Sequence, residues 1–554
     1  MKSTIKSFLI YLLVFLIFFG IFLKIQFSFP NIVGGDGYYH IKQAWLIRTE
    51  GIKKAVREFS FLQCSIFKEY PGDIWFGFHL LLYPFTFFDL IFGAKLSSAF
   101  FASILLLGFF WVFKKFKIKY PFFWTIFLFL VTNHFNFRLL LPRPHVLSIL
   151  FSVTGFYFLF RKKHWEIFFL SFIYSFVTTE SLLILVMAFC LALLERLKTK
   201  KLDLKPLAIT LAGFLLGLIL QPDFPNNFYL LYHQIFSVLS LKFTGVKLSF
   251  GAELHPFYGL VKDNILLFLT FILPLLWTLL KFIQKKYRNI SFLHLSLFSF
   301  SFGFAILSFI NGRFIEYWVP FSVLFFAVWS NFSLLPAVSK IIKSIKEFEG
   351  YHLVFSSEKI KNIYQSIYNF LRIIALKSEK KLFKFIILGL SSFLVIAFLW
   401  HQVINLSVPF GTEPLTLRAF KEASLWLKEN TPKNSIVLNS AWDTFPFLFF
   451  YNHQNFYCNG MDPTFMYVKN PKIYWIWQNL TGRGISCDKE ECDKKNQELT
   501  EQKNIEISRF LKETLRGDYL LLDNPNEKFS GFLSSSPDFE KVFKKGRIEM
   551  YSIK

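Results

Sequence analysis

The feature that constrains this chain most is a succession of uninterrupted apolar runs, each about 18–22 residues long, the length of helix that crosses the hydrocarbon core of a bilayer. Inside that core a backbone has no water to bond to, so helix is the form in which such runs span it. The runs are rich in Phe, which accounts for 78 of the 554 residues, and hydrophobic side chains make up 54% of the chain. The sequence therefore reads as a polytopic α-helical membrane protein with about 11–13 transmembrane helices.

The net charge of +25 would by itself admit a nucleic-acid partner, but its distribution argues for topology instead. From residue 404 onward basic and acidic residues nearly balance, so the excess lies in the apolar part. There it collects in short loops: Lys114, Lys115, Lys117 and Lys119; Arg161, Lys162 and Lys163; and the stretches 196–205 and 281–288. Clusters of this kind mark cytoplasmic loops. With the N-terminus cytoplasmic, a first helix at about 7–27 delivers an outer loop at 29–73. Further helices then fall near 121–138, 143–160, 165–178, 181–195, 206–221, 263–280, 291–311, 317–336 and 383–403. A second outer loop falls at 222–262 and a cytoplasmic loop at 337–382.

The expected organisation is thus a multi-pass transmembrane domain over 1–403 and a soluble extracytoplasmic α/β domain over 404–554, in a prokaryotic cell membrane. Residues 74–113 hold two apolar runs where the flanking charges call for an odd number of crossings. The first run carries Pro84 and Asp89, and the sequence leaves open whether it crosses. In the C-terminal part, 420–428 has helical periodicity, 430–432 is a turn, and 435–438, 519–522 and 548–553 read as strands. Cys487 and Cys492 lie in this outer part, which leaves a disulfide open; their spacing does not suit zinc.

Several polar residues do not behave as loop charges. Asp36, His40, Arg143, His145, Glu180, Glu253, His255, Arg313 and Glu316 all fall at the outer ends of helices. Ionisable groups near membrane depth are costly and usually face a cavity or a substrate path. Their convergence on one side predicts one outward-facing site.

The sharpest local motif is Gly34-Gly35-Asp36-Gly37-Tyr38-Tyr39-His40, just past the first helix. Its glycines permit tight turns, its acid is of the type that binds a hard divalent cation, and its paired Tyr suit an interface. The motif resembles the first outer loop of the C-type glycosyltransferases, in particular the catalytic subunit of oligosaccharyltransferase, where an Asp-x-Tyr-Tyr-His-like motif supplies a metal-binding Asp. The likeness continues in order along the chain. Gly251-Ala252-Glu253-Leu254-His255-Pro256 looks like that family's Ser-x-x-Glu loop, whose Glu sits beside metal and acceptor. Gly312-Arg313-Phe314 looks like the element whose Arg meets the lipid-linked phosphate. Ser440-Ala441-Trp442-Asp443 stands where the family carries Trp-Trp-Asp-Tyr-Gly, which recognises the acceptor; only the central Trp-Asp is kept. A second departure is Leu141-Pro142-Arg143-Pro144-His145, which replaces the family's second acidic motif.

The resemblance implies a GT-C-like fold and a sugar or oligosaccharide transferred from a polyprenyl-phosphate or -diphosphate donor to a protein, glycan or lipid acceptor. It implies Asp36 and Glu253 as catalytic residues, and Asp36, His145 and Glu253 as ligands of a divalent cation, Mn or Mg. Arg313 and Arg143 would bind the donor phosphate, and Trp442 and Asp443 the acceptor. A bidentate, permanently charged guanidinium suits phosphate oxygens. The altered motifs keep other readings open, namely a non-catalytic relative or a transporter or binder of lipid-linked glycans. Without the resemblance, Arg313 would pair with Glu316 at i+3, Glu253 would be a solvated loop charge, Arg143 an interface anchor, Trp442 a core aromatic and Asp443 a helix cap.

Overall fold

The computed structural model describes residues 2–254, 264–286, 290–336, 415–492 and 506–554. The expected loop at 337–382, the helix at 383–403, the boundary at 403/404 and His255 lie outside these residues. Five helices among those described are long and apolar enough to cross a membrane: Thr4–Gln26, Leu90–Lys115, Ile265–Ile283, Phe292–Ile310 and Gly312–Leu334. Shorter apolar helices, Phe76–Phe87, Pro121–Leu130, His145–Phe160, His164–Val177 and Lys205–Ile219, complete an α-helical membrane fold. Only 28% of the most apolar window of Ile265–Ile283 is covered by protein, against 78% for Gly312–Leu334. The first helix therefore presents Leu276, Leu280 and Ile283 outward, a face that would aggregate in water and is at no disadvantage against lipid tails. The second is the central helix, with Trp318, Phe321 and Phe325 in the core.

The stretch 74–113 resolves into one short and one long element. Phe76–Leu82 continues as a 3₁₀ turn over Tyr83–Phe87 with Pro84 in its first turn, and the chain then becomes extended at Phe88. Asp89 accepts from the backbone N–H groups of Ile91 and Phe92, both at 3.0 Å, and so caps the 26-residue helix Leu90–Lys115. Of the two apolar runs, one thus forms a short helix with a 3₁₀ turn and the other a helix of spanning length. The expected single helix at 121–138 is instead two. Pro121–Leu130 ends, Thr132 takes an extended conformation and accepts from the His134 N–H, and Asn133–Leu139 runs on in a new direction. A side chain that caps a turn in this way competes with the helix ladder.

Buried polar contacts fix the segment that follows the first helix. Gln26 Nε2 donates to Ser98 Oγ at 2.8 Å and to the Leu140 carbonyl at 2.7 Å, which ties three elements together. Lys95 Nζ donates to the carbonyls of Phe29 and Pro30 at 2.6 and 2.7 Å. A β-carbon at Gly37 would collide with the Pro142 ring and with Ile32, so the first outer motif and the Pro142–Pro144 turn approach at backbone distance only because residue 37 has no side chain.

The C-terminal part forms a five-stranded sheet. The strands are β1 (Ile436–Asn439), β2 (Phe456–Tyr457), β3 (Tyr519–Asp523), β4 (Phe539–Lys545) and β5 (Ile548–Ile553), in the order β2-β1-β3-β5-β4. β1 pairs in parallel with β2 and β3, while β5 runs antiparallel to both β3 and β4. The edge at β2 is covered by residues 61–64 of the first outer loop: Tyr457 N donates to the Phe61 carbonyl at 2.7 Å, and Gln63 N to the Tyr457 carbonyl at 2.8 Å. A shared core, with Tyr39, Leu46 and Phe59 against Phe445, Phe449 and Tyr457, seats the sheet on that loop.

Cys487 and Cys492 are bonded to each other, and Cys64, Cys190 and Cys458 are free. Maleimide labelling of the denatured protein isolated without reductant is expected to find three thiols, and five after reduction; five before reduction would show the bond to be absent.

Candidate active site

The polar residues at one end of the helices gather around a cavity of about 720 Å³. Each reaches it from a different element. Asp36 opens the helix Asp36–Ile52 after a turn in which Gly34 has φ +75°, a conformation that favours glycine. Arg138 comes from Asn133–Leu139, the helix that the break at Thr132 redirects. Arg143 stands between Pro142 and Pro144, whose fixed φ stiffens the turn, and Glu253 lies in a 3₁₀ turn of the second outer loop. Arg313 lies in the 3₁₀ turn that opens the central helix, and Glu316, fully buried and outside the cavity lining, lies in the turn that follows.

These side chains form one ion-pair network. Arg138 donates from Nη1 to Glu253 Oε2 and from Nε to Glu316 Oε1, both at 2.5 Å. Arg143 donates from Nη1 to the same Glu253 oxygen at 3.1 Å, and its Nη2 lies 2.9 Å from Asp36 Oδ2. Arg313 Nη2 donates to Glu180 Oε1 at 2.5 Å, with Nη1 3.9 Å from Glu253 Oε1. Glu253 is thus the hub. Burial works to raise its pKa, but the guanidiniums of Arg143, Arg138 and Arg313 outweigh that and hold its carboxyl well below the usual range. A carboxylate so held is a poor proton acceptor. Asp36 has the most exposed side chain of the four carboxylates, at 43%, and it lines the cavity.

Of the sequence-predicted residues, Asp36, Arg143, Glu253, Arg313, Trp442, Asp443 and His40 line the cavity. Glu180 stands behind Arg313. His145 is completely buried; its Nε2 donates to the Arg138 carbonyl at 2.8 Å, and it is outside the cavity lining. Arg313 does not pair with Glu316, which belongs to Arg138. Asp443 caps no helix with its side chain. Trp442 follows the carboxyl end of β1, and its indole N–H donates to the Ser249 carbonyl at 2.8 Å, so the sheet and the second outer loop are joined at the cavity. Asn439, at the end of β1, donates to the Ala441 and Asn459 carbonyls, both at 2.9 Å, and holds the loops of Trp442 and of Met461-Asp462 side by side.

Sequence reasoning missed Arg138, although an Arg inside an apolar stretch was signal enough. It also assigned no role to Met461 and Asp462, which line the cavity, Met461 at φ +68°. On the inner wall His40 Nδ1 lies 2.9 Å from His79 Nε2, and His79 Nδ1 lies 2.5 Å from Asp73 Oδ2. Burial, with His79, Arg143 and His145 nearby, keeps the His40 imidazole well below its ordinary pKa and therefore neutral.

No group of three or more His, Cys, Asp or Glu side chains that could hold a metal is assembled among the described residues. Asp36 and Glu253 are bridged by Arg143, and His145 is turned away. In this arrangement the donor set does not fit Mn or Mg.

Two outcomes follow from the network. Glu316 is fully buried, so Glu316→Ala should cost about 1–3 kcal/mol by taking from Arg138 one of its two carboxylates, and Arg138→Met/Glu316→Leu should recover part of it, since Glu253 keeps Arg143 and Arg313; melting of the detergent-solubilised variants measures both. For Glu253 the folded-state pKa is depressed, so its stabilisation is complete above the ordinary carboxyl range and is lost as pH falls toward the depressed value. The melting difference between wild type and Glu253→Gln should be flat from about pH 8 to pH 5 and shrink below about pH 4.

No protein-family model matches the sequence, and no curated protein matches it in sequence. Solved structures do match in fold. The Archaeoglobus fulgidus oligosaccharyltransferase in its apo form superposes with a TM-score of 0.58 at 13% identity, over 93% of this chain and 69% of that one. The same organism's oligosaccharyltransferase AglB, in complex with an inhibitory peptide and a dolichol-phosphate, gives 0.53 at 12% identity over the same shares. ArnT from Cupriavidus metallidurans, also apo, gives 0.51 at 11% identity, over 99% of this chain and 98% of that one. The protein has the fold of the C-type membrane glycosyltransferases, in the arrangement found in the archaeal oligosaccharyltransferase.

Proposed function

We propose that the protein is a membrane glycosyltransferase, which moves a sugar or oligosaccharide from a polyprenyl-phosphate or -diphosphate donor to an acceptor on the extracytoplasmic face. The observation that carries this reading is the meeting of Asp36, Arg143, Glu253 and Arg313 in one cavity at the helix ends, with Trp442 and Asp443 of the sheet-bearing part on its rim. The lipid tail would lie among the exposed apolar helix faces, and the phosphate among guanidiniums that offset the charge building on the leaving group. Arg313, whose side chain is 31% exposed, is the best placed for this. Glu253 would order the three guanidiniums rather than take a proton. Asp36 would accept the proton of the acceptor's nucleophile as the sugar's anomeric carbon leaves the phosphate oxygen.

The organisation into a transmembrane domain over 1–403 and an extracytoplasmic domain over 404–554 belongs to this reading. The C-terminal domain would select the acceptor, be it protein, glycan or lipid, through Trp442 and Asp443. The loss of the surrounding Trp, Tyr and Gly argues against the oligosaccharyltransferase's own acceptor.

Purified protein given its host's isotopically labelled polyprenyl-linked glycans and native acceptors is expected to transfer label. Asp36→Ala should lower the rate at least about 100-fold, and Arg313→Ala about 10- to 1000-fold. Trp442→Ala should raise KM for the acceptor more than it changes donor binding. Full transfer by Asp36→Ala, or none by folded wild type, would sink the proposal and favour a binder of lipid-linked glycans.

A further inference from the structure

We infer that Arg143 takes the place of the divalent cation in this site, so that the pocket works with a built-in guanidinium where the resemblance implies a metal. The inference rests on the proposed function for its meaning but not for its test. Three observations carry it. Arg143 stands in the chain where the family's second acidic motif is expected, and its guanidinium lies between the two carboxylates that would hold a cation, 2.9 Å from Asp36 Oδ2 and 3.1 Å from Glu253 Oε2. Glu253 Oε2 also takes Arg138 Nη1 at 2.5 Å, so that oxygen is committed to two guanidiniums. The nitrogen candidate, His145, is fully buried with Nε2 on a backbone carbonyl, and the three charges that act on it are those of Arg138, Arg143 and Arg313. A dication placed here would have to displace one guanidinium and then sit beside two more, at a Coulomb cost that the low local dielectric enlarges.

Arg143 is held for this purpose. Pro142 and Pro144 restrict the backbone on either side, and the Arg143 N–H donates to the Leu141 carbonyl at 2.8 Å. The side chain is only 17% exposed. When donor phosphate enters, its oxygens compete with Asp36 for the same N–H groups. Phosphate binding therefore releases Asp36 from its ion pair, and the carboxylate becomes available to the acceptor only once donor is in place.

The test is manganese binding to the full-length, detergent-purified protein with no donor or acceptor present, read from the loss of the free Mn²⁺ electron paramagnetic resonance signal. Wild type and Asp36→Asn are expected to leave the signal of micromolar Mn²⁺ unchanged. Arg143→Asp, which removes the internal cation and adds the missing acid, is expected to bind at least about tenfold more tightly than wild type. Stoichiometric uptake by wild type that disappears in Asp36→Asn would overturn the inference. So would an Arg143→Asp protein, shown folded by its melting transition, that binds no better than wild type. Neither result depends on whether transfer can be measured, so failure of the inference and failure of the proposed function are separate outcomes.

Discussion

Arg138 is shared by two carboxylates from distant parts of the chain, Glu253 of the second outer loop and Glu316 of the central helix, and the rest of the site depends on that bridge. Glu316 is fully buried and Arg138 nearly so. Ions taken that far from water are tolerated only when their partners are fixed in place. The bridge therefore ties a surface loop to the most deeply packed of the spanning-length helices among the described residues, and through Glu253 it helps to fix where Arg143 and Arg313 stand. Without it the second outer loop would be held over the helix ends only through Arg143, Arg313 and the bond from Trp442 to the Ser249 carbonyl.

The network has a definite charge balance. Three guanidiniums face four carboxylates, Asp36, Glu180, Glu253 and Glu316, and the two most buried of these, Glu316 and Glu180, sit behind Arg138 and Arg313 rather than at the cavity mouth. Every guanidinium in such an arrangement is already paired within the protein before any ligand arrives, and one negative charge is left over. Under the proposed function an anionic donor would bind by exchange, taking N–H donors from a carboxylate that turns to solvent. Asp36 is the carboxylate that can be released at least cost, because it is already the most exposed and is held by a single guanidinium. Glu253, held by three, stays.

Much of this was legible in the sequence, for reasons that residues make plain. The long helices follow from apolar run length alone. Asp36, Arg143, Glu253 and Arg313 stood out because ionisable side chains next to membrane-depth segments need a cause, and the structure brings all four to one cavity. What was not legible is pairing between remote positions. Glu316 looked like the partner of Arg313 because it is three residues away, whereas its carboxylate goes to Arg138 across the bundle. Arg138 itself was overlooked because 121–138 read as one span, and its role appears only when Thr132 breaks the helix. The edge strand β4 was missed since Phe539–Lys545 carries charges on an exposed face and has no clean alternation. The two-residue β2 exists because the first outer loop pairs with it.

The exchange of a metal for a guanidinium also bears on what such a site can do. A bound dication would bring two charges, and its occupancy would follow the supply of metal. Arg143 brings one charge and a fixed fork of N–H groups on a proline-stiffened turn, and is always present. One charge stabilises a leaving phosphate less than two, so the deficit has to be met by position. The enclosing Arg138 and Arg313, the partial exclusion of water and the rim residue Trp442 supply that position. Either carrier gains one negative charge as the sugar–oxygen bond breaks, but a monophosphate leaves with a smaller total charge than a diphosphate. Under the proposed function, the guanidinium cluster would on this physical ground suit best a donor whose leaving group is the less highly charged of the two.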